Sequence, residues 1–266
     1  MAASPVRPLV AVDVGNSRIK LGWFDEPSRD PLPAPGRTLR LPLESADWSE
    51  LPAWLEGVPA AGIDWRLGSV NRGAQTRLID WLRERDAIAS TMLLAAGDLP
   101  LQVELPQPDR VGVDRLLNAV AANVLRPADR AAVVVDLGTA ITVDLVSAAG
   151  AFQGGAILPG LMTSAKALHQ FTDMLPLLAE LDGAPQALGR STLEAMRSGL
   201  FWGAVGGIRE LIARFAEQLS APPAVIVAGG SSHVVADLLG HGARHEPHLT
   251  LSGIALAARG ARESRL

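Results

Sequence analysis

Two stretches of the sequence end an apolar run on an aspartate, with a glycine two residues later and a small or polar residue beyond it. They are Val10-Ala11-Val12-Asp13-Val14-Gly15-Asn16-Ser17 and Val133-Val134-Val135-Asp136-Leu137-Gly138-Thr139-Ala140. A carboxylate at the end of a buried strand lies at the rim where ligands bind in open α/β sheets. There it can hold a monovalent cation or a hydrated divalent one. The glycine lets the backbone approach a phosphate, and its amide, with Asn16, Ser17 or Thr139, can donate to phosphate oxygens. Lys20 can neutralise a phosphoryl group as a point charge. Gly229-Gly230, after a third apolar run, offers bare backbone on which a flat base or a ribose can pack. One Asp-x-Gly is a common turn. Two copies in matched strand-turn-strand settings, separated by roughly half the chain, imply a duplicated fold whose facing loops enclose a nucleoside triphosphate. The sequence has no Gly-x-x-x-x-Gly-Lys-Ser/Thr, which excludes a P-loop, and no Gly-x-Gly-x-x-Gly after the first strand, which counts against a dinucleotide-binding dehydrogenase.

A second constellation is Gly112-Val113-Asp114-Arg115, at the start of a helical pattern. A carboxylate within reach of an alcohol can accept its proton and orient it for attack, and a guanidinium binds a carboxylate bidentately. The structural alternatives are a helix N-cap for Asp114 and a surface ion pair for Arg115. Asp144 projects from the strand after the second acidic turn and reads as a supporting group. The five histidines have no metal-ligand spacing, and His245 and His248 fall in a proline-interrupted stretch that reads as solvated loop. The six tryptophans read as core or interface, Trp202 as a dimer contact.

These residues need strands and helices to position them. Residues 9–14 read as a buried strand ending in a tight turn and 19–24 as its return. Residues 37–43 and 64–70 read as further strands, 48–55 and 74–85 as helices. Val113–Leu125 reads as a helix with Val113, Leu116, Leu117, Val120 and Val124 on one stripe. Strands follow over 131–135, 141–147 and 151–158, then a helix over 162–171 and a long helical region over 193–219. A last buried strand over 224–228 leads to helices over 232–239 and 249–261. The chain has 266 residues, 48% of them hydrophobic and 20% charged, enough for a sizeable core in one large domain or two smaller ones. The net charge is −4, without a basic run interleaved with aromatics, which speaks against direct nucleic-acid binding. No apolar run approaches the ~20 residues that cross a bilayer, and residues 1–8 lack a signal-peptide core. The absence of cysteine removes disulfides, thiolate metal sites and thiol nucleophiles.

Taken together, the motifs resemble those of the type III pantothenate kinases, which include the Bvg accessory factor branch. Asp13-Val14-Gly15-Asn16-Ser17-Arg18-Ile19-Lys20 is similar to that family's first phosphate motif, and Gly112-Val113-Asp114-Arg115 to its Gly-x-Asp-Arg substrate motif. Asp136-Leu137-Gly138-Thr139-Ala140-Ile141-Thr142-Val143-Asp144 is similar to the second phosphate motif, with Gly154 to Gly160, Thr172-x-x-Leu175-Pro176 and Ser191-Thr192 through Gly199 following in order. The resemblance implies an α/β protein with a duplicated actin-like ATPase (ribonuclease H-like) fold: two half-domains, drawn at 1–117 and 118–266, with a nucleotide cleft between them. It implies ATP-dependent phosphorylation of pantothenate to 4'-phosphopantothenate, the first step of coenzyme A synthesis, in a cytoplasmic homodimer with no membrane or nucleic-acid partner. Asp114 is then the general base. Asp13, Val14, Gly15, Asn16, Ser17, Arg18, Ile19, Lys20 and Thr139 contact ATP. Leu105, Gly112, Val113, Asp114, Arg115 and Thr192 line the pantothenate site. Asp136 binds a monovalent cation, K+ or NH4+, and Asp13 the Mg2+ or other divalent ion of the nucleotide, through water. Leu105 stands where the family often has a tyrosine. The competing readings are a regulatory accessory protein of the same fold, another actin-like kinase or phosphatase, and a structural actin-like protein.

Overall fold

The protein is described by a computed structural model covering residues 7–25, 30–43, 48–58, 62–181, 183–230, 232–240 and 242–263. Most of the N-terminal stretch expected to lack a leader, residues 1–6, lies outside this range, as does part of the loop before the third strand.

The chain forms two compact units. One comprises residues 1–102, 106–125 and 248–266; the other comprises 103–105 and 126–247. The half-domain boundary drawn at 117 falls within the helix Val113–Leu125.

The first unit holds β1 (Leu9–Val14), β2 (Arg18–Phe24), β3 (Arg37–Pro42), α1 (Glu50–Trp54), β4 (Asp64–Ser69), α2 (Arg72–Arg83), β5 (Thr91–Leu93) and α3 (Val113–Leu125). The second holds β6 (Ala132–Leu137), β7 (Ala140–Val146), β8 (Phe152–Pro159), α4 (Leu161–Phe171), α5 (Thr192–Ala216), β9 (Ala224–Gly229), α6 (Ser232–Leu239) and β10 (Arg244–His245). The last helix, α7 (Leu249–Glu263), returns to the first unit.

The two five-stranded sheets have one topology. Their orders are β3-β2-β1-β4-β5 and β10-β9-β6-β7-β8. In each, the first strand pairs antiparallel with the second and parallel with the fourth. The third strand is antiparallel to the second and the fifth parallel to the fourth. The internal echo in the sequence is thus a duplication of a whole sheet. The fifth strands, β5 and β10, are too short to read from periodicity.

β1 is buried over Val10–Val14 because both its faces are covered. Val10, Val12 and Val14 join Leu78 and Leu82 of α2 in one cluster. The alternate positions face α7 and α3. Gly68, the β4 partner of Asp13, is where a Cβ would lie 2.6 Å from Leu117 and 3.7 Å from Ile254. In the second sheet, Val133, Val135 and Leu137 pack with Phe201 and Val205 of α5 and with Val235 of α6. On α3 the predicted stripe is buried at Val113, Leu116, Leu117 and Val120, whereas Val124, in the last turn of the helix, is 36% exposed.

Candidate active site

Asp13 and Asp136 occupy the same register position. Asp13 pairs with Lys20 across β2 and with Gly68 across β4. Asp136 pairs with Thr142 across β7 and with Ala228 across β9. Each is followed by a hairpin that its glycine closes: Gly15 N–H donates to Arg18 O and Gly138 N–H to Ala140 O, both at 3.0 Å. The second turn is one residue shorter, which residue-for-residue comparison of the two motifs did not reveal.

Within the first turn the side chains divide. Asn16, Ser17 and Arg18 are exposed, whereas Val14 and Ile19 are fully buried in the core. Only the backbone of those two can meet a ligand. Asp13 is 7% exposed, and its Oδ2 lies 3.3 Å from Lys20 Nζ. Direct cross-strand register makes that ion pair. An aspartate so held suits contact with a hydrated cation, because a directly bound ion would compete with the ammonium.

Gly112 to Arg115 sits on the same face of the first sheet as Asp13. A Cβ on Gly112 would lie 3.6 Å from Val70, just past the end of β4, and one on Gly68 3.7 Å from Val113. Gly112 O accepts the Leu116 N–H at 3.4 Å, so Gly112 holds the cap position and Asp114 lies inside the first turn. Asp114 is therefore not the N-cap of α3. Its Oδ1 accepts the Arg115 N–H at 2.8 Å. The carboxylate folds back over Gly112, where a Cβ would come 2.6 Å from Oδ1. A side chain at this position would push the carboxylate from the place it holds. Asp114 and Arg115 are half-buried.

Leu105, Asp136, Thr139 and Thr192 belong to the second unit. Thr139 is exposed at the turn, and its carbonyl accepts two bonds, from Gly160 N–H at 3.0 Å and Thr163 Oγ1 at 2.6 Å. A Cβ on Gly160 would come 2.3 Å from Gly138 O, so the start of α4 presses directly on the second acidic turn. Thr163 was not foreseen; its only trace in the sequence is a hydroxyl in the first turn of a helix. Thr192 opens α5 behind Ser191, whose Oγ accepts the Glu194 N–H at 3.2 Å. It lines an apolar depression of about 420 Å³ with Leu168, Leu175, Ala195, Met196, Gly199 and Leu200. Leu105 lies over Gly154, where a Cβ would stand 3.4 Å from its Cδ2. The segment before it pairs with β8, Glu104 N–H donating to Phe152 O at 2.9 Å.

Other sequence expectations are refined. Asp144 is 1% exposed, and its Oδ1 overlies Gly155. Trp202 stacks edge-on against Phe201 at 5.1 Å and donates Nε1–H to Pro185 O at 3.0 Å, so it is tied to its own chain. His245 is exposed, as its reading as solvated expected, but it stands in the two-residue strand β10 rather than a loop, and its ring bonds Ser232. Among the described residues no three His, Asp or Glu converge on a metal site, and no helix is long and apolar enough to cross a membrane.

Comparison with solved structures defines the class. A Baf-family protein from Campylobacter jejuni superposes with a TM-score of 0.61 at 19% identity, over 96% of this chain and 99% of that one. The activator of the 2-hydroxyisocaproyl-CoA dehydratase from Clostridium difficile, with bound ADPNP, gives 0.51 at 11% identity over 97% of each chain. MreB 5 of Spiroplasma citri, bound to AMPPNP, gives 0.51 at 9% identity over 98% and 99%. The chain has the duplicated actin-like ATPase fold that these structures share. The family model for type III pantothenate kinase matches residues 9–214. Type III pantothenate kinases from Acidiphilium cryptum and Gluconobacter oxydans are 38% and 36% identical to this chain, over 76% and 94% of it and 75% and 92% of their own lengths. The chain belongs to the type III pantothenate kinase family.

Proposed function

We propose that this chain transfers the γ-phosphoryl group of ATP to the primary alcohol of pantothenate, giving 4'-phosphopantothenate for coenzyme A synthesis. The observation that carries this reading is the equal register of Asp13 and Asp136 in two sheets of identical order, in a chain of this family. Phosphoryl transfer asks the protein for positioning and charge neutralisation more than for covalent chemistry. Asp114 accepts the proton of the attacking hydroxyl and orients it. Its bond from the Arg115 amide fixes the carboxylate before substrate arrives. Arg115, with Gly112, Val113, Leu105 and Thr192, receives pantothenate, the guanidinium pairing with its carboxylate. Residues 13–20 and Thr139 contact the phosphates, Lys20 neutralising charge that develops in transfer. The Gly229–Gly230 backbone takes the base or ribose.

The divalent cation that accompanies ATP would supply charge stabilisation when bound. Asp13 would hold it through water, in keeping with the ion pair to Lys20. Asp136 would hold K+ or NH4+. A single carboxylate beside turn carbonyls suits the weak field of a monovalent ion, which takes neutral oxygens readily. The working form is a cytoplasmic homodimer without a nucleic-acid or membrane partner. Support for self-association comes from apolar side chains displayed by the second unit, Phe171 at 80%, Met174 at 84% and Leu177 at 55% exposure.

Coupled measurement of ADP release with and without pantothenate tests the activity. ADP should form only with pantothenate, a divalent ion and K+ or NH4+ together, and the product should gain the mass of one phosphoryl group. Equal rates with and without pantothenate would overturn the kinase and favour a regulatory protein of the same fold.

A further inference from the structure

The Gly229–Gly230 turn is built differently from its counterpart in the first unit. Leu137 pairs with Gly229 as Val14 pairs with Ser69. Gly230 N–H donates to Leu137 O at 3.1 Å as Val70 N–H donates to Val14 O at 3.0 Å. Where the first unit has Ser69–Val70, the second has two glycines. The fold dictates one of them. Gly229 has φ +101, and a Cβ there would come 2.4 Å from Leu137 O. Gly230 is not dictated, for a Cβ there would meet nothing within 4 Å. A glycine that packing does not require, on backbone open to approach, fits a surface that a ligand must reach closely.

A side-chain relay holds this turn. Ser232 opens α6 and is 0% exposed. Its Oγ lies 2.6 Å from Gly229 O and 2.7 Å from His245 Nε2. The carbonyl can only accept, so the hydroxyl proton goes to Gly229 O and Nε2–H donates to the hydroxyl oxygen. Both the neutral Nε2–H tautomer and the imidazolium supply that proton. His245 pairs with Val227 on β9, the position that Leu93 holds opposite Leu67 in the first unit. Both positions are exposed, and the first unit has a leucine there, so the same fold closes the same turn without a histidine. The relay is an addition to the second unit.

We infer that His245 is a positioning residue for the nucleotide: through Ser232 it holds the Gly229 carbonyl, and so the bare backbone on which the base or ribose of ATP packs. This rests on the reading of that turn as the nucleotide platform. The test is ATP and pantothenate kinetics, with ADP binding by calorimetry, on the full chain. His245→Ala should raise the KM for ATP and the Kd for ADP about 3- to 10-fold, the loss of one part-buried hydrogen bond. The pantothenate KM and kcat should stay within about twofold, since only nucleotide binding is touched. His245→Gln, whose amide N–H reaches where Nε2–H does, should restore most of the affinity. Should His245→Ala not fold, Ser232→Ala carries the same split. An unchanged Kd for ADP in His245→Ala, or a pantothenate KM that rises in step with that for ATP, would overturn the role of His245. Gly230→Val separates this from the platform itself. The side chain fits the protein but obstructs a ligand, so ADP affinity should fall, and an unaffected Kd would defeat the platform reading as well.

Discussion

At Asp114 one substitution separates chemistry from structure. The carboxylate lies inside the first turn of α3, folded over Gly112, and one oxygen already accepts the Arg115 amide. Asparagine keeps that acceptor and nearly the same shape but cannot take a proton from an alcohol. Asp114→Asn should lower pantothenate-dependent ADP release by about 10²- to 10⁴-fold, the usual worth of a general base. The melting temperature should move by no more than about 2 °C, since no packing is lost. A variant that keeps its rate would remove Asp114 from the chemistry. The residue types here were legible in the sequence, because Asp-x-Gly after an apolar run and Gly-x-Asp-Arg before a helical stripe are local patterns. The division of roles within residues 13–20 was not. Val14 and Ile19 were grouped with the nucleotide contacts, yet their side chains point into the core, since in a strand alternate positions face opposite ways.

At the scale of elements, α3 is held by α7. A Cβ on Gly253 would come 2.1 Å from Leu117 O, so the two helices touch at bare backbone. Beside that contact Thr250 Oγ1 donates to Asn118 Oδ1 at 2.8 Å, with both residues buried. Asn118 and Thr250 are 132 residues apart, so no local window of sequence could show the contact. Gly253→Ala should destabilise the chain by about 1–3 kcal/mol through overpacking. Thr250→Val should cost about 1–3 kcal/mol by taking that donor from buried Asn118. Urea unfolding at a single temperature measures both. Because α3 carries Asp114 and Arg115, Gly253→Ala should also lower kcat in the folded protein, and an unaltered kcat would show that α7 only adds stability.

At the scale of the whole molecule, self-association is the property to measure. The chain mass is 27.9 kDa, and sedimentation should give a particle of twice that mass. Among the described residues, Phe171 and Met174 are the most exposed large apolar side chains, and replacing both with glutamate buries two charges in any interface built on them. Phe171→Glu/Met174→Glu should sediment as a folded monomer. A wild-type monomer at micromolar concentration would refute the dimer, and a dimeric variant would move the interface elsewhere.

The sequence by itself determined the motifs, the duplication, nearly every helix and strand, and through them the family, because apolar periodicity and turn residues act between near neighbours. Only the tertiary structure decided that the two sheets share one strand order and that Asp13 and Asp136 fall at one register. It also decided that the second acidic turn is braced by Gly160 and Thr163, and that a histidine read as solvated reaches a buried serine. Register and long-range contact are set by which faces must be buried together. That depends on the packing of the whole unit, which no single stretch of residues encodes.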